Sequence, residues 1–68
     1  MISYEAFWKT MKKQGITTYY LRNKGEDYNL SGSTIQRIKA NLSISTNTID
    51  TLCKMLHCKV EDIITYVE

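Results

Sequence analysis

Proline is absent from this 68-residue chain, glycine occurs three times, and phenylalanine, tryptophan and histidine once each. Without proline, no helix loses an N–H or meets a ring clash in its interior. Few glycines leave little room for turn-rich or low-complexity structure. No apolar run approaches the ~18 residues that a membrane span requires, and the N-terminus lacks a signal-peptide pattern. The expected compartment is therefore the cytoplasm, where Cys53 and Cys58, the two cysteines, stay reduced. No Gly-rich phosphate loop and no inward cluster of carboxylates is present, so neither an enzyme nor a cofactor is expected. Cys53, His57 and Cys58 lack a second ligand pair, so no metal site is expected either. His57 near a helix end, in so small a chain, gives no Cys/His nucleophile a substrate cleft.

What is present belongs to a small globular domain. Hydrophobic residues make up 43% and charged residues 24%, an ordinary balance for a soluble fold. A chain of this size buries only about 60% of its unfolded surface, so compact local packing must carry its stability. Residues 1–68 are read as a single domain. The net charge of +2 hides a division along the chain. Residues 1–41 carry seven Lys/Arg against three acids; residues 42–68 carry two against four. A basic portion joined to an acidic end suits a face that meets a polyanion.

Apolar residues recur at i, i+3, i+4, i+7 in three places: Tyr4, Phe7, Trp8, Met11; Ile49, Leu52, Cys53, Leu56; and Val60, Ile63, Ile64, Val67. Each set forms one stripe of an amphipathic helix. Ser3 is expected to cap the first helix and Gly15 to stop it after Lys12 and Lys13. Ile16 precedes a cap at Thr17, with a helix from Thr18 to Lys24 ended by Gly25; Gly25-Glu26-Asp27 then breaks regular structure. Ser31 would cap a helix reaching Asn41, and Ser45 or Thr46 the one after it. Lys59 leaves the start of the last helix poorly defined. The expectation is all-α: five helices and no strand. Tyr4, Phe7 and Trp8 read as core and not as a base-stacking platform. Tyr66 and Val67 could complete a self-association patch.

The stretch Ser31–Asn41 differs from the others. Ile35 and Ile38 suffice for its buried side, leaving Ser33, Thr34, Gln36, Arg37, Lys39 and Asn41, a set without a carboxylate. Such a face suits base edges and phosphates. Arg37 can donate twice to guanine and Gln36 can pair with adenine. Gly32, in the first turn, permits a close approach of the backbone, whose free N–H groups suit phosphate.

Thr17-Thr18-x-x-Leu21, Tyr28-Asn29-Leu30-Ser31 and Ile35-Gln36-Arg37-Ile38 together resemble the helix-turn-helix of the Cro/phage-repressor-type (XRE-like) regulators. The segments Ile44-Ser45-Thr46, Ile49 to Leu56, and Cys58 to Ile64 resemble the later helices of its small members. The resemblance implies that Leu21, Tyr28, Leu30, Ile35 and Ile38 lock the two helices together. It implies base reading by Gly32, Ser33, Gln36 and Arg37. It implies phosphate contacts at Thr18 and from Asn41 to Ser43, and the residues' own chemistry adds Thr34 and Lys39 to that expected set. Two departures from the family stand out: Gly25-Glu26-Asp27 looks like an insertion, and Arg22 occupies a place that members fill with a small or apolar residue. Asn29 replaces the usual glycine of the turn, tolerably, since Asn accepts a left-handed backbone. The expected function is a sequence-specific regulator that binds a double-stranded DNA operator as a homodimer. It has no membrane association and no small-molecule substrate. The rival is a protein-interaction module of the same fold, antitoxin-like or an adaptor.

Overall fold

The computed structural model describes residues 1–28, 30 and 32–68. The expected cap at Ser31 and the expected turn conformation of Asn29 fall outside the described residues. In chain order the elements are β1 (Ile2–Ser3), α1 (Glu5–Gln14), α2 (Thr18–Gly25), a 3₁₀ turn at Glu26–Tyr28, α3 (Gly32–Lys39), α4 (Thr46–Leu56), a second 3₁₀ turn at Val60–Asp62, and β2 (Thr65–Tyr66). The fold is mainly helical, with four α-helices among the described residues where five were expected.

The first two stripes behave as their spacing requires. Tyr4, Phe7 and Met11 of the first, and Leu52 and Leu56 of the second, are buried together with Leu21, Ile35, Ile38 and Ile63. Trp8 and Cys53 pack against this core from its margin, and the Trp8 ring meets Phe7 edge-on at 4.9 Å. Met55, outside the second stripe, is also buried.

Helix ends follow the local chemistry. Thr17 and Ser45 are the N-caps of α2 and α4, each hydroxyl accepting an N–H from three residues on. Ile16 and Leu21 hold the two positions of a hydrophobic staple about Thr17, Leu21 in the core and Ile16 packed against it. Gly15 ends α1 in the left-handed region at φ 69°. The N-cap of α1 is Tyr4, one residue later than expected; Ser3 still helps, its Oγ accepting the Glu5 N–H at 3.2 Å.

The third stripe does not become a helix. Val60–Asp62 makes one 3₁₀ turn, in which the Asp62 carboxylate accepts the Lys59 N–H at 3.1 Å. Thr65–Tyr66 then pairs antiparallel with Ile2–Ser3. Val60, Ile63, Ile64, Thr65 and Val67 are β-branched residues that favour extended backbone. Only Ile63 of this stripe is fully buried. The ribbon joins the two ends of the chain: the Met1 ammonium donates to the Val67 carbonyl, and the Val67 N–H returns a bond to Met1 O at 2.8 Å. Thr10 Oγ1 donates to Asp62 O and Gln14 Nε2 to Leu56 O, both at 2.8 Å, fastening α1 to the end of α4 and to the turn beyond it.

Candidate nucleic-acid interface

Two apolar residues seat α3 on the core. Ile35 is 1% and Ile38 is 2% exposed, while Gly32, Ser33, Gln36, Arg37 and Lys39 lie on the outside. Thr34 is 5% exposed. Its side chain belongs to the packed side of α3, which corrects the expectation that it meets phosphate. Among the described residues, a Cβ placed on Gly32 would touch nothing within 4 Å, so no packing demand among them explains the glycine.

The end of α3 is tightly organised. Asn41 is left-handed, at φ 56°. Its N–H bonds Ile38 O at 3.1 Å, and the Leu42 N–H bonds Arg37 O at 2.8 Å. This is a Schellman motif with Asn where glycine is usual, and it gives Asn41 a structural task alongside the contact inferred from the resemblance. The segment that follows is held from both sides. Arg37 Nε donates to Ser43 O at 2.9 Å, and the hydroxyl of the buried Tyr4 donates to Leu42 O at 2.6 Å. Sequence reading assigned Tyr4 to the core alone; a phenol at a buried position, needing a partner for its O–H, was the available signal. Asn41, Ser43 and Lys39 are exposed, and Thr18, at the start of α2, is half-buried.

Between α2 and α3 the structure revises the reading of the turn. Gly25-Glu26-Asp27 does not break regular structure: Gly25 is the last residue of α2, and Glu26–Tyr28 continues as the 3₁₀ turn. Gly25 is buried, and a Cβ there would stand 3.0 Å from Leu30 Cβ. The Leu30 N–H donates to Gly25 O at 2.7 Å. Gly25 thus lets Leu30, in the connection to α3, fold back on the end of α2, and Arg22 is exposed. Tyr28 is 42% exposed, so it does not lock the helices as Leu21, Leu30, Ile35 and Ile38 do. Asp27 lines a cleft with Gln14, Lys24, Met55 and His57, which turns one of the two acids of the turn toward the end of α4.

Around the two cysteines nothing gathers to resemble a metal site: among the described residues no group of three or more His, Cys, Asp or Glu is placed to hold an ion. Among the described residues, no helix is long and apolar enough to cross a membrane.

An exposed, acid-free helix face on an apolar seat, preceded by a second short helix whose Leu21 shares that core, is the arrangement of a helix-turn-helix. Comparison with known proteins agrees. A structure described as the transcriptional regulator VanUg superposes with a TM-score of 0.79 at 26% identity, covering 94% of this chain and 81% of that one. No curated protein sequence matches. The profile of the Cro/C1-type HTH DNA-binding domain matches residues 6–68, and the chain belongs to that family.

Proposed function

We propose that this chain is a sequence-specific transcriptional regulator that lays α3 in the major groove of double-stranded DNA. The observation that carries the reading is the exposed face of Gly32, Ser33, Gln36 and Arg37 on the Ile35/Ile38 seat. Donors and acceptors of this kind match the pattern that base pairs display in the major groove. Arg37 and Gln36 read purines, Ser33 serves a base or a nearby phosphate, and Gly32 lets the backbone come close. Because Arg37 Nε is engaged with Ser43 O, the guanidinium meets guanine end-on, through its two terminal nitrogens. Lys39, Thr18, Asn41 and Ser43 meet phosphates, which fix register without specifying sequence.

One such module makes few contacts, so two copies act together on a near-palindromic operator with half-sites about one helical turn, ~34 Å, apart. That VanUg is described as a transcriptional regulator supports the same reading.

Selection from a random duplex pool tests it. The expected result is an enriched palindrome whose affinity falls steeply with salt, through release of counterions. A pool that stays unenriched, with binding flat against salt, would overturn the reading in favour of a protein-interaction module.

A further inference from the structure

A cleft of about 520 Å³ opens where the ends of three helices meet. Gln14, the last residue of α1, Lys24, one from the end of α2, and His57, the C-cap of α4, all line it. Its apolar side is Ile16, which is half-buried, and Met55, which is 8% exposed. Tyr20 on α2 and Tyr28 on the 3₁₀ turn border it at 45% and 42% exposure, together with Asp27 of the same turn. None of these residues is among those assigned to DNA. We propose that the cleft binds a small zwitterion with an apolar body, a free α-amino acid, whose ammonium goes to Asp27 and whose carboxylate goes to Lys24.

The volume suits one small molecule, since such pockets run to about 300–1,000 Å³. Charge selects its class. Each of the three helices leaves the negative end of its dipole at the cleft, and with the Asp27 carboxylate these ends favour a cation. Aromatic surface on Tyr20 and Tyr28 suits an ammonium as well as an apolar body. Gln14 spends its Nε2 on Leu56 O, and its Oε1 remains an acceptor for the ammonium. Lys24 supplies the opposite sign. Among the described residues, neither the Lys24 nor the Asp27 side chain has an ion-pair or hydrogen-bond partner. A simple carboxylic acid would meet Asp27 and three helix ends as like charges, and a simple amine would meet Lys24 as one. A molecule of both signs satisfies both residues, while Ile16 and Met55 take its side chain out of water. Position gives the site a consequence. Asp27 and Tyr28 belong to the turn that leads through Leu30 into α3, so an occupant tying this turn to the end of α4 fixes how α3 is held. Amino acid and DNA then change each other's affinity by the same factor, a step that rests on the regulator reading above.

Calorimetric titration of the whole chain with phenylalanine and with leucine, without DNA, tests the site. Saturable binding of one molecule per chain is expected. Phenethylamine, which lacks the carboxylate, and N-acetylphenylalanine, which lacks the ammonium, should each bind about tenfold more weakly. Asp27→Asn should erase the difference between phenylalanine and its N-acetyl form, and Lys24→Met the difference between phenylalanine and phenethylamine. General damage to the fold would not produce two such selective losses, and circular dichroism checks each variant. Backbone amide resonances from Lys24 to Tyr28 and at His57 should shift with occupancy. No binding of either amino acid at millimolar concentration, or shifts confined to other residues, would overturn the proposal. Equal binding of the amine or of the N-acetyl form to the unaltered chain would overturn the zwitterion as its ligand. Titration with phenylalanine is then repeated on the chain saturated with a mixed-sequence duplex at low salt, where an unchanged dissociation constant would overturn the coupling. Failure to bind the duplex with the amino acid still bound refutes the regulator and leaves the cleft standing; the converse refutes the cleft alone.

Discussion

On the exposed face of α3, Arg37 joins two parts of the interface through one side chain. Its Nε holds the carbonyl of Ser43, and in the function proposed above its terminal nitrogens donate to guanine. Replacing Arg37 with Ala should therefore relax base preference and cost about 1–3 kcal/mol on the preferred site. Titration of matched and mismatched duplexes checks this, and an equal loss on every duplex would reduce Arg37 to a phosphate contact. Lys39, the last residue of α3, stands exposed, and Lys39→Ala should weaken binding almost uniformly while flattening the salt slope by about one unit. A sharp change of preferred sequence in that variant would contradict the assignment. Thr34, by contrast, is spent on packing.

The connection from α2 to α3 depends on Gly25. Leu30 sits so near that a β-carbon at Gly25 would be 3.0 Å from Leu30 Cβ. That atom moves only with its backbone, which the bond from Leu30 N–H to Gly25 O restrains at 2.7 Å. Gly25 lies at the last position of α2, so alanine gains little helix propensity to offset the clash. Gly25→Ala is expected to destabilise the fold by about 1–2 kcal/mol, seen as a lower thermal midpoint. Because Leu30 leads directly into α3, displacing it should also shift α3, and DNA affinity should fall beyond what the loss of folded protein explains. An unchanged midpoint would show that Leu30 yields freely.

Over the whole molecule, the two ends are brought together by the β1–β2 ribbon, and the segment between α4 and β2 is sealed by Cys58 and Ile63. Burial, then the neighbouring Cys53 thiol and the Asp62 carboxylate, push the Cys58 thiol from an ordinary 9.0 up to about 11. The folded chain holds this proton more tightly than the unfolded chain does. Its contribution to stability is complete below pH 9 and is lost as pH climbs to about 11. Urea unfolding of the parent and of Cys58→Ala across that window should show the parent losing stability more steeply. Parallel curves would mean that the thiol titrates alike in both states.

Much of this was legible in the sequence, for a physical reason. Helical periodicity, the hydroxyls of Thr17 and Ser45, and Gly15 act within a few residues of themselves, so α1, α2 and α4, the N-caps of the latter two and the end of α1 could be read locally. The acid-free set on α3 was legible too, because it is a matter of composition at helical spacing. Tertiary structure alone decided the rest. Val60 to Val67 has a helical stripe, yet its β-branched residues find an extended partner in Ile2–Ser3, at the far end of the chain. Thr34 turns inward because the core reaches round that side of α3. Gly25 looked like a break, and only the position of Leu30 shows that a side chain there would be crowded. Tyr4 extends from the core to hold Leu42 across 38 residues of sequence. Contacts between distant residues depend on how the elements dock, and no local pattern encodes them.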